Sequence, residues 1–118
     1  MKQIRLYQII TAISCLFLIS CGIEQNLKKA DKHLSLGEYY DAATQYKKVY
    51  TKTPTKERAA RGKVALKMAR CYDKINSTPK ALAAYSNAIR YKQADHPDRL
   101  AYARLLLKNG SYRVAAKE

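Results

Sequence analysis

Two histidines and three cysteines are the residues of this chain best suited to nucleophilic or metal chemistry, but their spacing matches no known site. His33 and His96 lie far apart, and the chain has no HExxH motif of the kind that binds zinc on a helix. Cys15, Cys21 and Cys71 include no CxxC pair, and their odd number does not suit a closed set of disulfides. We therefore expect no metal site and interpret Cys71 as a small buried apolar residue.

The glycines and carboxylates also lack the spacing of a catalytic site. Gly22, Gly37, Gly62 and Gly110 form neither a GxGxxG fingerprint nor a phosphate-binding loop, and no serine lies in a GxSxG motif. The nine acidic residues are scattered along the chain. We interpret His33 as a packing residue on an apolar stripe. The sequence therefore predicts no enzyme activity, no small-molecule substrate and no non-covalent cofactor.

The N-terminal segment has the layout of an export signal. Lys2 and Arg5 supply a short positive region, and residues 6–19 form a run of fourteen residues without charge. Such a run is long enough for the apolar part of a signal peptide and short for a membrane span, which needs about 20 apolar residues. The run ends in Leu-Ile-Ser-Cys-Gly at residues 18–22.

This ending resembles the lipobox of bacterial lipoproteins, in which a small residue precedes a cysteine. The resemblance implies that Cys21 carries a covalent diacylglyceryl lipid, that residues 1–20 are a signal peptide, and that residues 21–118 form the mature helical domain. Gly22 stands where enterobacterial inner-membrane lipoproteins carry aspartate, which favours sorting to the outer membrane, facing the periplasm. An uncleaved signal anchor with an incidental cysteine is the alternative.

From residue 24 onward, apolar residues recur with helical periodicity, and no stretch alternates as a strand would. One stripe consists of Tyr39, Ala42, Ala43, Tyr46, Val49 and Tyr50. Breaks are predicted at Gly37, residues 53–54, 76–79 and 95–97, and Gly110. We therefore predict an all-α chain of six helices, the fifth ending at Gly110 and the sixth beginning near Tyr112.

The helices contain an internal repeat. Three columns of residues recur with the same two spacings, 39 and then 34 residues. They are Leu27, Leu66 and Leu100; Ala30, Ala69 and Ala103; and Ala42, Ala81 and Ala115. Tyr46 and Tyr85 are also 39 residues apart. One unit is therefore 34 residues long, with five extra residues at the first junction.

This pattern resembles the tetratricopeptide repeat (TPR), a helix–turn–helix unit of the same length. The resemblance implies a solenoid of helical hairpins, about two and a half repeats long, in which paired alanines let the two helices of a hairpin approach to about 8–10 Å. It also implies that Tyr46, Tyr72 and Tyr85 pack as the aromatic residues of the repeat and that Pro54 ends the first unit. An unrelated six-helix bundle is the alternative.

The order of these features resembles one protein family more closely. In OmpA-type lipoproteins, including the peptidoglycan-tethered component of the type IX secretion system, a lipobox leads into a run similar to residues 30–48 of this chain. The β-propeller and peptidoglycan-binding domain of that family are not in this sequence. We therefore interpret the chain as a truncated product or fragment and carry over no peptidoglycan function.

The chain is strongly basic, with 23 Lys and Arg against 9 Asp and Glu and a net charge of +14. This charge suits nucleic acid, anionic lipid or acidic protein segments, and export argues against nucleic acid. The TPR resemblance implies a concave groove lined by the first helix of each hairpin. The basic residues predicted to line it are Lys63, Arg70, Lys74, Arg104 and Lys108. A solvated basic face is the alternative.

These observations predict a lipid-anchored protein-interaction scaffold of the cell envelope, in which the lipid on Cys21 attaches the chain to the membrane and other envelope proteins are the partners. The alternative, from a different functional class, is a cytoplasmic nucleic-acid-binding helical protein. In that case the N-terminal segment is no signal.

Overall fold

The computed structural model describes residues 2–117, and their side chains outside residues 16–20 and 111–117. The helices are α1 (Lys2–Ser35), α2 (Tyr39–Lys52), α3 (Arg58–Lys74), α4 (Thr78–Arg90) and α5 (His96–Lys117). No residue in the described range lies in a strand. The predicted all-α class is therefore confirmed.

Three of the turns between helices share one hydrogen-bond arrangement. Gly37, Asn76 and Lys92 have positive φ angles of 75°, 58° and 58°. In each turn the next residue donates its amide N–H to a carbonyl five residues earlier. The pairs are Glu38 to His33, Ser77 to Tyr72 and Gln93 to Ala88, at 2.9, 2.9 and 3.0 Å. This Schellman arrangement satisfies a carbonyl at the helix end and reverses the chain.

Ion pairs between alternate helices show how the helices are arranged. Each helix packs against the next one along the chain. In addition, Lys67 of α3 contacts Asp31 of α1 at 3.0 Å, and Arg70 of α3 contacts Asp98 of α5 at 3.0 Å. Side chains of α3 thus reach both α1 and α5, while the helix itself packs against α2 and α4.

Small side chains form the centre of the core. Ala30, Ala42, Ala69 and Ala81 have no exposed surface. They lie on α1 to α4, one in each helix, and their size lets neighbouring helices approach closely. The buried tyrosines are Tyr46, Tyr72 and Tyr85. The first two sequence repeats thus supply the small and aromatic residues of the core.

The third repeat differs from the prediction. Helix α5 continues through Gly110 to Lys117, so the expected helix end at Gly110 and the separate sixth helix near Tyr112 are wrong. Ala103 and Ala115 therefore lie on one helix, about 18 Å apart along its axis, and cannot face each other across a hairpin. Ala103 is exposed. A single glycine costs a helix only about 1 kcal/mol, so without a competing tertiary contact it does not end one.

The N-terminal half of α1 makes no packing contact that buries it. Every described side chain in residues 2–15 is exposed. Its large apolar side chains, which are 48–69% exposed, are Ile4, Leu6, Tyr7, Ile9, Ile10 and Ile13. Within the described part of the chain, no helix has the combination of length and apolar content that crossing a membrane requires.

The α4–α5 loop lies so close to α3 that residue 62 has no room for a side chain. A Cβ atom on Gly62 would overlap the side chain of Gln93 and lie 2.7 Å from the Cβ atom of Tyr91. A glycine at this point of α3 therefore allows the loop to approach.

We expect Gly62→Ala to lower the free energy of unfolding by about 1–2 kcal/mol. The overlap forces the loop outward, and that cost exceeds the benefit of up to about 1 kcal/mol that alanine brings to a helix. Denaturant titration measures the change. Gly22→Ala is the matched control, because a Cβ atom there meets nothing within 4 Å. If the two variants were equally stable, the close approach would be refuted.

Candidate functional site

A row of cations runs along the outer face of α3. Lys63, Lys67, Arg70 and Lys74 follow one another at intervals of four, three and four residues, which places them on one side of a helix. Three of them are exposed, and Lys67 is half-buried. We call these four residues the α3 cation row. It contains three of the residues that the sequence predicts for the basic groove.

Arg70, in the middle of this row, is held by a carboxylate. Its Nε donates to Asp98 Oδ1 at 3.0 Å, and its Nη2 donates to Oδ2 at 3.1 Å. The Asp98 side chain is only 6% exposed, and it also accepts the amide N–H of Asp95 at 3.2 Å. Such a two-point contact fixes both side chains, so Arg70 joins α3 to α5 and is not a free cation.

The other two predicted groove residues, Arg104 and Lys108, lie one turn apart on α5. Arg104 donates to Asp73 Oδ2 of α3 at 3.3 Å, with 71% of its side chain exposed. An ion pair this exposed contributes little to stability. Its effect is local: it places an acid beside the cation and weakens the positive field between α3 and α5.

Lys67 is part of a polar cluster between α1, α2 and α3. The Tyr46 hydroxyl and Lys67 Nζ both donate to Asp31 Oδ1, at 2.5 and 3.0 Å. Partial burial raises the pKa of Asp31, but these two hydrogen bonds outweigh burial and bring the pKa below its usual value. Burial and the neighbouring Asp31 carboxylate both raise the pKa of Tyr46. The cluster therefore holds Asp31 in its charged form.

An apolar groove opens beside this cluster. It has a volume of about 250 Å³ and lies between the C-terminal half of α1, the end of α2 and the start of α3. Its lining residues are Ile23, Leu27, Val49, Thr53, Glu57, Ala60, Lys63, Val64 and Lys67. We call it the α1–α3 groove. Lys63 and Lys67 of the α3 cation row thus border an apolar depression.

Arg61, whose contacts the sequence patterns did not indicate, lies at the C-terminal end of α2. The Arg61 guanidinium lies 4.1 Å from the centre of the Tyr50 ring. Its Nη1 donates to the carbonyls of Tyr50 and Thr53 at 3.1 and 2.7 Å, and its Nε donates to the Tyr91 hydroxyl at 3.3 Å. The hydrogen bond from Arg61 lowers the pKa of Tyr91. Tyr50 lies in the last turn of α2 and Thr53 directly follows that helix, so Arg61 caps the C-terminus of α2. Because Tyr91 directly follows α4, Arg61 also joins the ends of the two helices.

One group of three possible metal ligands occurs among the described residues. Donor atoms of His33, Glu38 and Asp41 lie within 4.8 Å of one another. His33 Nδ1 and Glu38 Oε2 form a hydrogen bond of 2.5 Å, and both carboxylates stand at the N-terminus of α2. A helix N-terminus stabilises carboxylates without a metal, so we assign no ion to this cluster.

The cysteines differ in their surroundings. Cys21 is exposed on α1, as is Cys15. Cys71 is completely buried in α3, and burial raises the pKa of its thiol. Because the thiolate is the reactive form, this places Cys71 among the unreactive cysteines and leaves Cys21 accessible for modification.

No protein-family model, no curated protein and no solved structure matches this chain. Three surface features of the chain point to a function. They are the exposed Cys21, which follows the apolar N-terminal half of α1, the α3 cation row and the α1–α3 groove. Lys63 and Lys67 border the apolar α1–α3 groove, whereas Arg70 and Arg104 form ion pairs between helices.

Sequence reasoning missed the acidic partners of the predicted groove. Asp98 is 28 positions from Arg70, and Asp73 is 31 positions from Arg104. Neither interval is a helical spacing, so no local pattern could have paired them. Lys67 was missed for the same reason, because its partner Asp31 belongs to a different hairpin.

Proposed function

We propose that the chain is a lipid-anchored protein-interaction scaffold of the TPR type, held at the outer membrane and facing the periplasm. The observation that carries the proposal is the position of Cys21. Its side chain is exposed, and it follows the uncharged run in a lipobox-like context. Among the side chains that the structure describes, the first one packed against the core is Ile23, just after it. A lipid on Cys21 would therefore anchor the helices without disturbing their packing.

The TPR part of this proposal is supported by the arrangement of the helices. Each helix of the hairpins α1–α2 and α3–α4 buries an alanine at a position that repeats after 39 residues. Ion pairs join α3 to α1 and to α5, which would be the first helices of successive units. Stacked hairpins of this kind present a long continuous surface, which suits partner binding.

The scaffold acts by binding, and its basic charge favours acidic partners. The net charge of +14 also supports the second candidate, a cytoplasmic nucleic-acid-binding protein. The two functions place the chain in different compartments. Localisation and lipid attachment therefore distinguish them.

Metabolic labelling with a fatty-acid analogue tests the lipid anchor. We expect the wild-type chain to incorporate the label and to fractionate with the outer membrane, because Cys21 supplies the thiol for the lipid. Cys21→Ser should lose the label completely and retain the N-terminal segment, since lipid transfer precedes cleavage in lipoproteins.

Cys15→Ser is the matched control, because Cys15 is also an exposed cysteine on α1. It should be labelled like the wild type. Equal labelling of the Cys21→Ser variant and the wild type would refute the anchor. A chain found unlabelled in the cytoplasm and bound to nucleic acid would support the second candidate instead.

A further inference from the structure

The α1–α3 groove remains partly open although its walls are apolar. Ile23 and Leu27 of α1 form one wall and are only partly buried, while Val49 and Val64 form the buried floor. Ala60 stands at its rim and is exposed. Filling such a depression with an apolar group is favourable, because it removes the apolar walls from water.

The size of the groove limits what can fill it. Its volume of about 250 Å³ is below the roughly 300–1,000 Å³ of pockets that enclose a drug-sized molecule. A cavity of about 150 Å³ already accepts a benzene ring. The α1–α3 groove therefore suits one large apolar side chain of a partner, with part of the backbone next to it.

The charges at the rim of the groove indicate which group of the partner would lie next to that apolar side chain. Lys67 is already paired with Asp31, and Glu57 stands at the N-terminus of α3. Lys63 has no acidic partner within 4.0 Å among the side chains that the structure describes. A carboxylate of the partner placed beside Lys63 would supply the acidic partner that this lysine lacks.

We propose that the α1–α3 groove binds an acidic, extended segment of a partner protein through one large apolar side chain, with a neighbouring carboxylate of that segment paired to Lys63. This inference rests on the proposed scaffold function and specifies its partner. It moves the partner site away from Arg70 and Arg104, which are occupied by Asp98 and Asp73, to the end of α3 that borders α1.

Binding of a defined probe to the purified full chain tests the proposal. The probe is a short, fluorescently labelled peptide of Asp and Glu with one central Phe, and its partner peptide has Ala in place of Phe. Fluorescence anisotropy should show saturable binding of the Phe peptide below about 1 mM, with the Ala peptide at least about tenfold weaker. Binding should also weaken as salt is raised, because the contact with Lys63 is exposed.

Two pairs of variants separate the groove from general charge attraction. Ala60→Phe fills the groove from its rim and should weaken binding about tenfold or more, whereas Ala59→Phe adds the same ring at the neighbouring exposed position outside the lining. Lys63→Glu should weaken binding about tenfold, and Lys74→Glu, three turns away on the same face, should leave it nearly unchanged. Circular dichroism verifies that all four remain folded.

Three outcomes would overturn the proposal. One is the absence of saturable binding at about 1 mM peptide. Another is an equal loss in Lys63→Glu and Lys74→Glu together with equal binding of the Phe and Ala peptides, which would reveal diffuse attraction to a basic face. The third is a change in the amide NMR signals of the groove upon dilution without peptide, which would assign the groove to a second copy of this chain. None of these results depends on lipid attachment, so the labelling experiment can fail while the groove stands, and the reverse.

Discussion

Replacing Arg70 by glutamate should lower the free energy of unfolding by about 2–4 kcal/mol. The variant removes the two-point contact that holds the buried Asp98 carboxylate and places a second carboxylate beside it. Breaking a buried ion pair costs about 3–5 kcal/mol, and we expect somewhat less here because the Arg70 side chain is 55% exposed. Urea titration followed by circular dichroism measures the loss.

A second substitution shows whether repulsion between the two carboxylates causes part of the lost stability. Arg70→Glu combined with Asp98→Asn removes one of the two facing charges and should recover part of the lost stability. Lys74→Glu on the same face of α3 has no described acidic partner and should change stability little. If Arg70→Glu were as stable as Lys74→Glu, the ion pair would have no structural role.

This pair also affects how partner binding can be tested. A charge reversal at Arg70 disturbs the packing of α5 on α3, so lost binding in that variant would not identify a binding residue. Lys63 lacks such a contact and is the better position for charge reversal.

The second large effect is expected at the helix crossings. Ala69→Leu should lower the free energy of unfolding by about 1–3 kcal/mol, because Ala69 has no exposed surface and a larger side chain must push α3 away from its neighbours. Thermal or urea unfolding measures the change. The transition should stay cooperative, since α3 packs against both α2 and α4.

Ala103→Leu is the control that separates structure from sequence pattern. Ala69 and Ala103 belong to the same repeat column, so the pattern by itself predicts equal effects. Ala103 is exposed on α5, and the added side chain meets no packed helix. We therefore expect no loss of stability there. Equal destabilisation of both variants would mean that the third unit folds back in solution.

Several leucines on α5 are exposed, on a helix that continues through Gly110 and does not form the expected hairpin. Leu100, Leu106 and Leu107 are 58%, 46% and 74% exposed, whereas Leu105 is buried against the core. In an array of helical hairpins the terminal helix needs a polar outer face or a covering element. The described part of α5 carries three exposed leucines and so lacks such a polar face.

Local patterns in the sequence predicted most of the helices and their core. The helical period placed Ala30, Ala42, Ala69 and Ala81 on apolar stripes, and all four are buried. The turn at Gly37 was predictable because glycine readily adopts the positive φ that the turn requires. These features depend on residues within a few positions of each other, and the sequence displays them directly.

Long-range contacts decided the rest. Gly110 begins a run similar to the one at Gly37, GSYRVAA against GEYYDAA, yet α5 continues through it, and no helix in the described range packs back there. Lys92 adopts a positive φ that its type does not favour, in the loop that also packs over Gly62. The pairing of Arg70 with Asp98 and the opening of the α1–α3 groove bring together residues from different helices. The sequence by itself thus determined the helical class and the buried faces of the first two repeats, because these follow from local periodicity. Only the tertiary structure decided which cations remain free, because pairing depends on distances across the fold.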